Sequence, residues 1–259
     1  MAIEKFTISR DDSVYECFPH MCMTKQGRII LVYRESNGHV ASEFCRLVIR
    51  YSDDCGSSWS PRCIFRDETY SNGVLTKWNC PKIQQLSDGR ILLLCDAIDF
   101  PPGEWNSTLG NARIVLWFSE DDGATWSHEH VTNINGICPD NVVELPDNTW
   151  LLATNSYADG TKRTVQNVST SKDSGQTWGP PLDICPNPEY HLAEASIVVC
   201  PDGELVAYLR EESGLGRPVQ KMISFDSGRS WEGPYNTLNP AAHGMPVSCM
   251  TQAYREPLG

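Results

Sequence analysis

The apolar positions fall in short runs separated by turn residues, and no segment carries a convincing 3.6-residue apolar stripe. Runs rich in β-branched and large apolar residues stand at Arg28-Ile-Ile-Leu-Val-Tyr33, Arg90-Ile-Leu-Leu-Leu-Cys95, Thr149-Trp-Leu-Leu-Ala153 and Glu204-Leu-Val-Ala-Tyr-Leu209. Each follows a hairpin signal: Gln26-Gly27, Asp88-Gly89, Asp147-Asn148 and Asp202-Gly203. A further apolar run precedes each signal. A third set, Leu47–Tyr51, Ile114–Phe118, Thr164–Thr170 and Val219–Ile223, also reads as strands.

Each strand of the third set leads into the pattern Ser-x-Asp-x-Gly-x-Ser/Thr-Trp. The copies are Ser52 to Trp59, Ser119 to Trp126, Ser171 to Trp178 and Ser224 to Trp231, with starts 67, 52 and 53 residues apart. The glycine permits positive φ, and the Asp and Ser side chains can hold turn amides. The repeat therefore predicts four strands, A to D, joined A–B by the hairpin signal and C–D by the Ser/Asp box. Four-stranded units of about 50 residues are propeller blades. We expect an all-β propeller occupying residues 1–259 as a single, incomplete domain. It would hold about four and a half blades, with a fifth beginning near His243 to Thr251 and Lys5 to Ser9 serving as a closing outer strand.

With 21 Lys+Arg against 33 Asp+Glu, the formal net charge is −12, which disfavours nucleic acid and anionic membranes as main partners. No run is long enough to span a membrane, and Met1-Ala-Ile-Glu-Lys5 has no secretory pattern, so the expected location is cytoplasmic. The 11 cysteines are odd in number and contain no C-x-x-C, which predicts reduced thiols and neither zinc site nor disulfide framework. Sequons at Asn106 and Asn167 pull weakly the other way. His128-Glu-His130 lacks a third ligand and reads as a solvated strand. Gly214-Leu-Gly216 sits between strands, not before a helix. No metal and no cofactor is expected.

Strand direction locates the chemistry. The A–B turns and the boxes share one end of each blade, so starts of A and ends of B share the other, which rings the central mouth. The boxes are then structural. The mouth positions are Glu16, Cys17, Trp78, Asn79, Asp140, Asn141 and Glu194 from A, with Arg34, Glu35, Asp96, Asn155, Arg210 and Glu211 from B. Carboxylates beside guanidinium groups suit an acidic sugar, because arginine binds a carboxylate bidentately. Asp96 and Asp140 either bind substrate hydroxyls or cap strand ends.

The four boxes resemble the Asp-boxes of the sialidase (neuraminidase) superfamily, whose catalytic domains are six-bladed propellers. The stretch His191-Leu-Ala-Glu194 through Asp202-Gly203 to Arg210 is similar to a sialidase stretch of the form Asn-Glu-x-x-Val, then Asp-Gly-x-Leu, ending in Arg. The resemblance implies that Glu194 polarises a tyrosine nucleophile and that Arg210 belongs to a triad holding the substrate carboxylate. Arg34 is similar to the arginine that ends the second strand of the first blade. Two departures stand against it. The family's Arg-Ile-Pro is here Cys17-Phe18-Pro19, and no Asp lies between Arg34 and Ser52, where only Glu35, His39 and Glu43 could serve as acid/base. The third arginine and the tyrosine belong to later blades, with Tyr254 and Arg255 the nearest residues. The resemblance implies an exo-acting glycoside hydrolase removing a terminal acidic sugar from a glycan. The competing readings are a non-catalytic glycan- or protein-binding propeller and an inert scaffold.

Overall fold

The computed structural model describes residues 6–39, 41, 43–69, 73–100, 111–158, 161 and 163–237. Two compact units emerge, Met1–Ser107 with Val115–Glu129, and Thr108–Ile114 with His130–Gly259. The first sheet runs in the order β1 (Tyr15–Met23), β2 (Ile29–Ser36), β3 (Phe44–Ser52) and β4 (Cys63–Thr69). The second holds β5 (Leu75–Trp78), β6 (Lys82–Gln85), β7 (Ile91–Phe100), β8 (Arg113–Ser119) and β9 (His130–Val131). The third holds β10 (Val143–Glu144), β11 (Trp150–Tyr157), β12 (Thr164–Ser171) and β13 (Leu182–Asp183). The fourth holds β14 (Leu192–Val199), β15 (Leu205–Glu211), β16 (Gln220–Ser224) and β17 (Glu232–Asn236).

In the first, third and fourth sheets the strands pair antiparallel with their neighbours in sequence, as the A-to-D repeat predicts. The fold is all-β, of the sialidase-like propeller-blade type. In the second blade the inner strand is split into β5 and β6, which both pair with β7 on either side of Asn79-Cys80-Pro81. A proline donates nothing to a ladder and interrupts it there. The strands read as near-continuous apolar runs because both faces are covered. Along β2, Ile30 and Val32 enter a core with Leu47, Ile49, Ile91, Leu93 and Trp117, while Leu31 and Tyr33 enter another with Val48. The second unit has its own core of Leu151, Ala153, Val168, Ile197, Leu205, Ala207 and Leu209.

One expectation needs correction. Residues 6–9 form no strand; Ile8 instead docks on the Leu31, Tyr33 and Val48 face, and Ser9 Oγ turns inward to donate to Glu16. The expected fifth-blade start at His243 to Thr251 lies outside the described residues, as do Lys5, Tyr254, Arg255 and Asn106. The Asn167 sequon is buried, with its amide nitrogen donating to Ser156 Oγ at 2.8 Å.

Each box is a closed hydrogen-bond ring. In the first, Asp54 Oδ1 accepts from Ser52 Oγ and Ser58 N, both at 2.8 Å, Asp54 Oδ2 accepts from Ser58 Oγ at 2.6 Å, and Ser52 Oγ accepts from Gly56 N at 2.8 Å. The same bonds recur around Asp121, Asp173 and Asp226. The boxes also brace the preceding blade. Tyr51 Oη and Arg28 Nη1 donate to the Gly123 and Asp122 carbonyls, and His130 Nε2 donates to those of Gly175 and Gln176. His130 is therefore a clamp on the third box. At the fourth box, a Cβ on Gly228 (φ +84°) would lie 2.3 Å from Leu151 Cδ1.

Gly228→Ala should cost about 2–4 kcal/mol, combining left-handed strain with overpacking, read as a lowered denaturation midpoint; an unchanged midpoint would remove the glycine from the blade contact. The hydroxyls of Ser58, Thr125, Thr177 and Ser230 hold the four box aspartates down to about 2, from an ordinary 3.8. That stabilisation is complete above the ordinary value and is lost as pH falls towards about 2. Urea titrations between pH 5 and 2 should show this loss, and a D121A/D173A double variant should show a shallower slope.

Candidate functional site

In the second unit, the inner strand β14 carries a bulge. Ala193 pairs with Arg210 and Ser196 with Tyr208, so Glu194 and Ala195 together oppose Leu209. Glu194 takes the left-handed step at φ 52°. The neighbouring strand amides are held from the third blade: Ala195 N donates to Gln166 Oε1 at 3.0 Å, and Ile197 N to Asp140 Oδ2 at 2.8 Å. Gln166 is itself fixed by donating to the Thr154 carbonyl at 2.8 Å. The bulge is thus clamped, and it aims Glu194 towards Arg210.

Arg210 Nη1 lies 3.0 Å from Glu194 Oε1 and Nη2 lies 2.9 Å from Glu212 Oε1. The side chains of Arg210, Glu194 and Glu212 are 34%, 17% and 26% exposed. Beside them Glu211 is buried; it accepts from His191 N, Ser213 N and Ser213 Oγ, and lies 3.5 Å from Arg217. Arg217 stacks on Tyr190 at 4.2 Å from the ring centre and donates to the Glu189 carbonyl. Burial, with the nearby Glu212 carboxylate, raises the Tyr157 phenol.

The first unit gathers a second cluster at the equivalent strand ends. Cys17 pairs with Arg34, and Phe18, at φ 53°, begins the corresponding bulge. Arg34 is 0% exposed; it donates to Asn79 Oδ1 at 3.1 Å and the His39 carbonyl at 2.7 Å, and stacks on Phe18 at 4.8 Å. Asp96, also 0% exposed, accepts from Asn79 Nδ2 at 3.0 Å and Cys80 N at 2.8 Å. Burial pushes the Cys17 thiol up to about 11 against the pull of Arg34, so it stays protonated at neutral pH. Burial first, and the Lys82 charge second, drive His20 down to about 3; its Nδ1 accepts from Ile83 N.

Of the expected site residues, Glu194 and Arg210 meet at an open edge. Arg34, Asp96 and Asp140 do not offer a comparable surface: they are 0%, 0% and 4% exposed, and they brace strands rather than reach outward. Asp96 and Asp140 accept from the backbone amides of Cys80 and Ile197. Among the acid/base candidates, Glu35 is buried in an ion pair with Arg62 at 2.5 Å. Glu43 is exposed, and its amide is held by Asn37. His39 stacks edge-on with Tyr15 and Phe18; burial, then the charges of Arg34 and Lys77, lower its pKa. Two participants escaped the sequence reading. Glu212 directly follows Arg210-Glu211, and that acidic doublet after a mouth arginine was the available signal. Lys77, 1% exposed, had none, since it precedes Trp78 in an ordinary strand.

Residues 46–248 match the family model of the BNR repeat-like domain. The chain belongs to that family. Solved structures similar to this chain include a protein of unknown function from Dyadobacter fermentans, 22% identical with a TM-score of 0.67 over 87% of this chain and 70% of that one. A leech intramolecular trans-sialidase complexed with 2,7-anhydro-Neu5Ac is 13% identical, with a TM-score of 0.67 over 92% of this chain and 54% of that one. An α-L-arabinanase from Penicillium chrysogenum complexed with arabinobiose is 16% identical, with a TM-score of 0.58 over 81% and 62%. The chain thus spans about half the length of the leech enzyme. At these identities the likeness is one of fold. No curated protein matches this BNR repeat-like chain. Among the described residues no helix is long and apolar enough to cross a membrane.

Burial, then the charge of Arg34, lower Lys77 to about 8 from an ordinary 10.5, with Asp96 pulling the other way. Between those values the folded chain sheds a proton that the unfolded chain keeps, so this residue's contribution to stability rises with pH. The difference in stability between the protein and K77M, followed from pH 7 to 10.5, should change in that window. A flat difference curve would put Lys77 in water.

Proposed function

We propose that this protein is a glycoside hydrolase of the sialidase type, acting on the terminal sugar of a glycan at Glu194 and Arg210. The observation that carries this reading is the bulge. A left-handed step is costly for a non-glycine residue and tends to persist where the surroundings enforce it. Here Gln166 and Asp140 hold the strand that contains it, and the residue at the step is a carboxylate ion-paired with Arg210 at 3.0 Å. The resemblance to sialidases, which implies a role for the same two positions, supports it. In this reading Glu194 accepts the proton of the attacking hydroxyl, and Arg210 orients Glu194 while donating to the sugar.

The second reading, a glycan-binding propeller without turnover, is favoured by two observations. Cys17 stands where the family has an arginine, and Glu35, the nearest carboxylate to replace the missing acid, is tied to Arg62. Hydrolysis of a panel of aryl glycosides, fluorogenic sialosides included, separates the two. Turnover that falls at least a hundredfold in Glu194→Gln, with a melting temperature within about 2 °C of the parent, is the expected result. Turnover unchanged by the substitution would remove Glu194 from the chemistry. Saccharide binding by calorimetry without turnover would establish the second reading.

A further inference from the structure

Resting on the glycoside hydrolase reading, we infer that His191 is the general acid that protonates the departing oxygen of the substrate. Breaking a glycosidic bond calls for two proton-handling groups, one beside the attacking hydroxyl and one beside the leaving oxygen. Glu194 serves the first. For the second, Glu35 is bound to Arg62, and the carboxylates around Arg210 are all engaged as acceptors. Glu194 and Glu212 accept from Arg210 at 3.0 and 2.9 Å, and Glu211 accepts from Ser213 and from the His191 amide.

Strand register brings an imidazole to the same place. Ala193 pairs with Arg210, and the Glu212 amide donates to the His191 carbonyl at 2.8 Å, so His191 stands opposite Glu212 at the mouth end of the β14–β15 hairpin. Residues directly opposite, and those two apart on a strand, share one face of a sheet. His191, Arg210 and Glu212 therefore line one face, and the bulge brings Glu194 onto it, in contact with Arg210 at 3.0 Å. His191 and Glu194 are three positions apart, about 10 Å of strand, with Arg210 between them. That spacing leaves room for an anomeric centre between a proton donor and a proton acceptor. His191 is half-buried, and among the described residues its ring makes no hydrogen bond, ion pair or ring contact, which leaves the imidazole uncommitted. The other ionisable groups around it are Glu211 at its amide, Tyr190 with Arg217 stacked on it, and Tyr157 of the third blade, close enough to Glu212 to feel its charge.

Imidazole is the side chain that most readily gives and recovers a proton near neutral pH. In the step, the His191 N–H bond breaks as an O–H bond forms on the glycosidic oxygen. The bond from that oxygen to the anomeric carbon breaks, and its electron pair stays on the oxygen. The attacking hydroxyl bonds to the carbon, its proton passing to Glu194. Glu194 then releases that proton and the imidazole regains one, so none is consumed.

A general acid matters in proportion to how poor the leaving group is, and that dependence is the test. For each sugar of a panel (sialoside, glucuronide, galactoside), the nitrophenyl glycoside, whose phenolate departs unaided, is compared with the methyl glycoside, whose alkoxide needs a proton. Rates are measured with the protein, His191→Gln and His191→Ala. For any sugar turned over, His191→Gln should lower kcat/KM at least about a hundredfold on the methyl glycoside and less than about tenfold on the nitrophenyl glycoside. Added imidazole should restore part of the methyl glycoside rate to His191→Ala, which a purely structural role would not allow. An equal fall on both glycosides, no fall on either, or no rescue by imidazole would overturn the inference, while turnover by the parent protein leaves the hydrolase reading standing. No turnover of any glycoside by the parent would remove that reading and this inference with it.

Discussion

The structure depends on one small device, the aspartate of the Ser-x-Asp-x-Gly-x-Ser/Thr-Trp box. A C–D turn in a blade must satisfy amides that no ladder reaches; the carboxylate accepts from one backbone N–H and two hydroxyls, and the first of those hydroxyls accepts from the glycine N–H. Because the same ring closes at Asp54, Asp121, Asp173 and Asp226, every blade presents an identical rigid corner. The corner then gives a glycine carbonyl or the Cβ-free glycine itself to an earlier strand: Gly123 to Tyr51, Gly175 to His130, Gly228 to Leu151. Local turn chemistry is thus converted into blade-to-blade registration.

With the corners fixed at one end, the opposite ends of the strands are free to carry irregularity. The inner strands bulge there, and polar side chains from adjacent elements hold the amides of the distorted strand: Gln166 and Asp140 for β14, His20 for β6. This explains why so many polar groups at the strand ends are buried. Arg34 and Asp96 belong to that bracing, while Glu194 and Arg210 lie beyond it and keep partial exposure. Burial, more than residue type, separates the bracing residues from the candidate pair.

The architecture was legible in the sequence because it is written in period and turn chemistry. Four boxes and four hairpin signals determine which runs are strands and in what order they pair, and Trp59 or Asn148 could be assigned from their neighbours alone. The site was legible only in part. Glu194 and Arg210 are sixteen positions apart and meet by register across a two-strand hairpin, which the A–B pattern specifies. The burial of Arg34 depends on Asn79, forty-five residues away in the next blade. The engagement of Glu35 by Arg62 joins β2 to the residue just before β4, twenty-seven positions on. Neither leaves a mark on periodicity. The split of the second blade's inner strand was similarly hidden, although Pro81 is its local cause.

A left-handed step on or just before the inner strand recurs in three blades with an aromatic, a thiol and a carboxylate side chain: Phe18 at φ 53°, Cys138 at 48° and Glu194 at 52°. A backbone geometry that tolerates such unlike occupants works as a socket. The conformational cost is met by the blade, so the occupant can be exchanged without renegotiating the fold. Reactivity in this architecture can therefore migrate among the three blades that carry the step, each offering a pre-shaped position open to side chains of different chemistry.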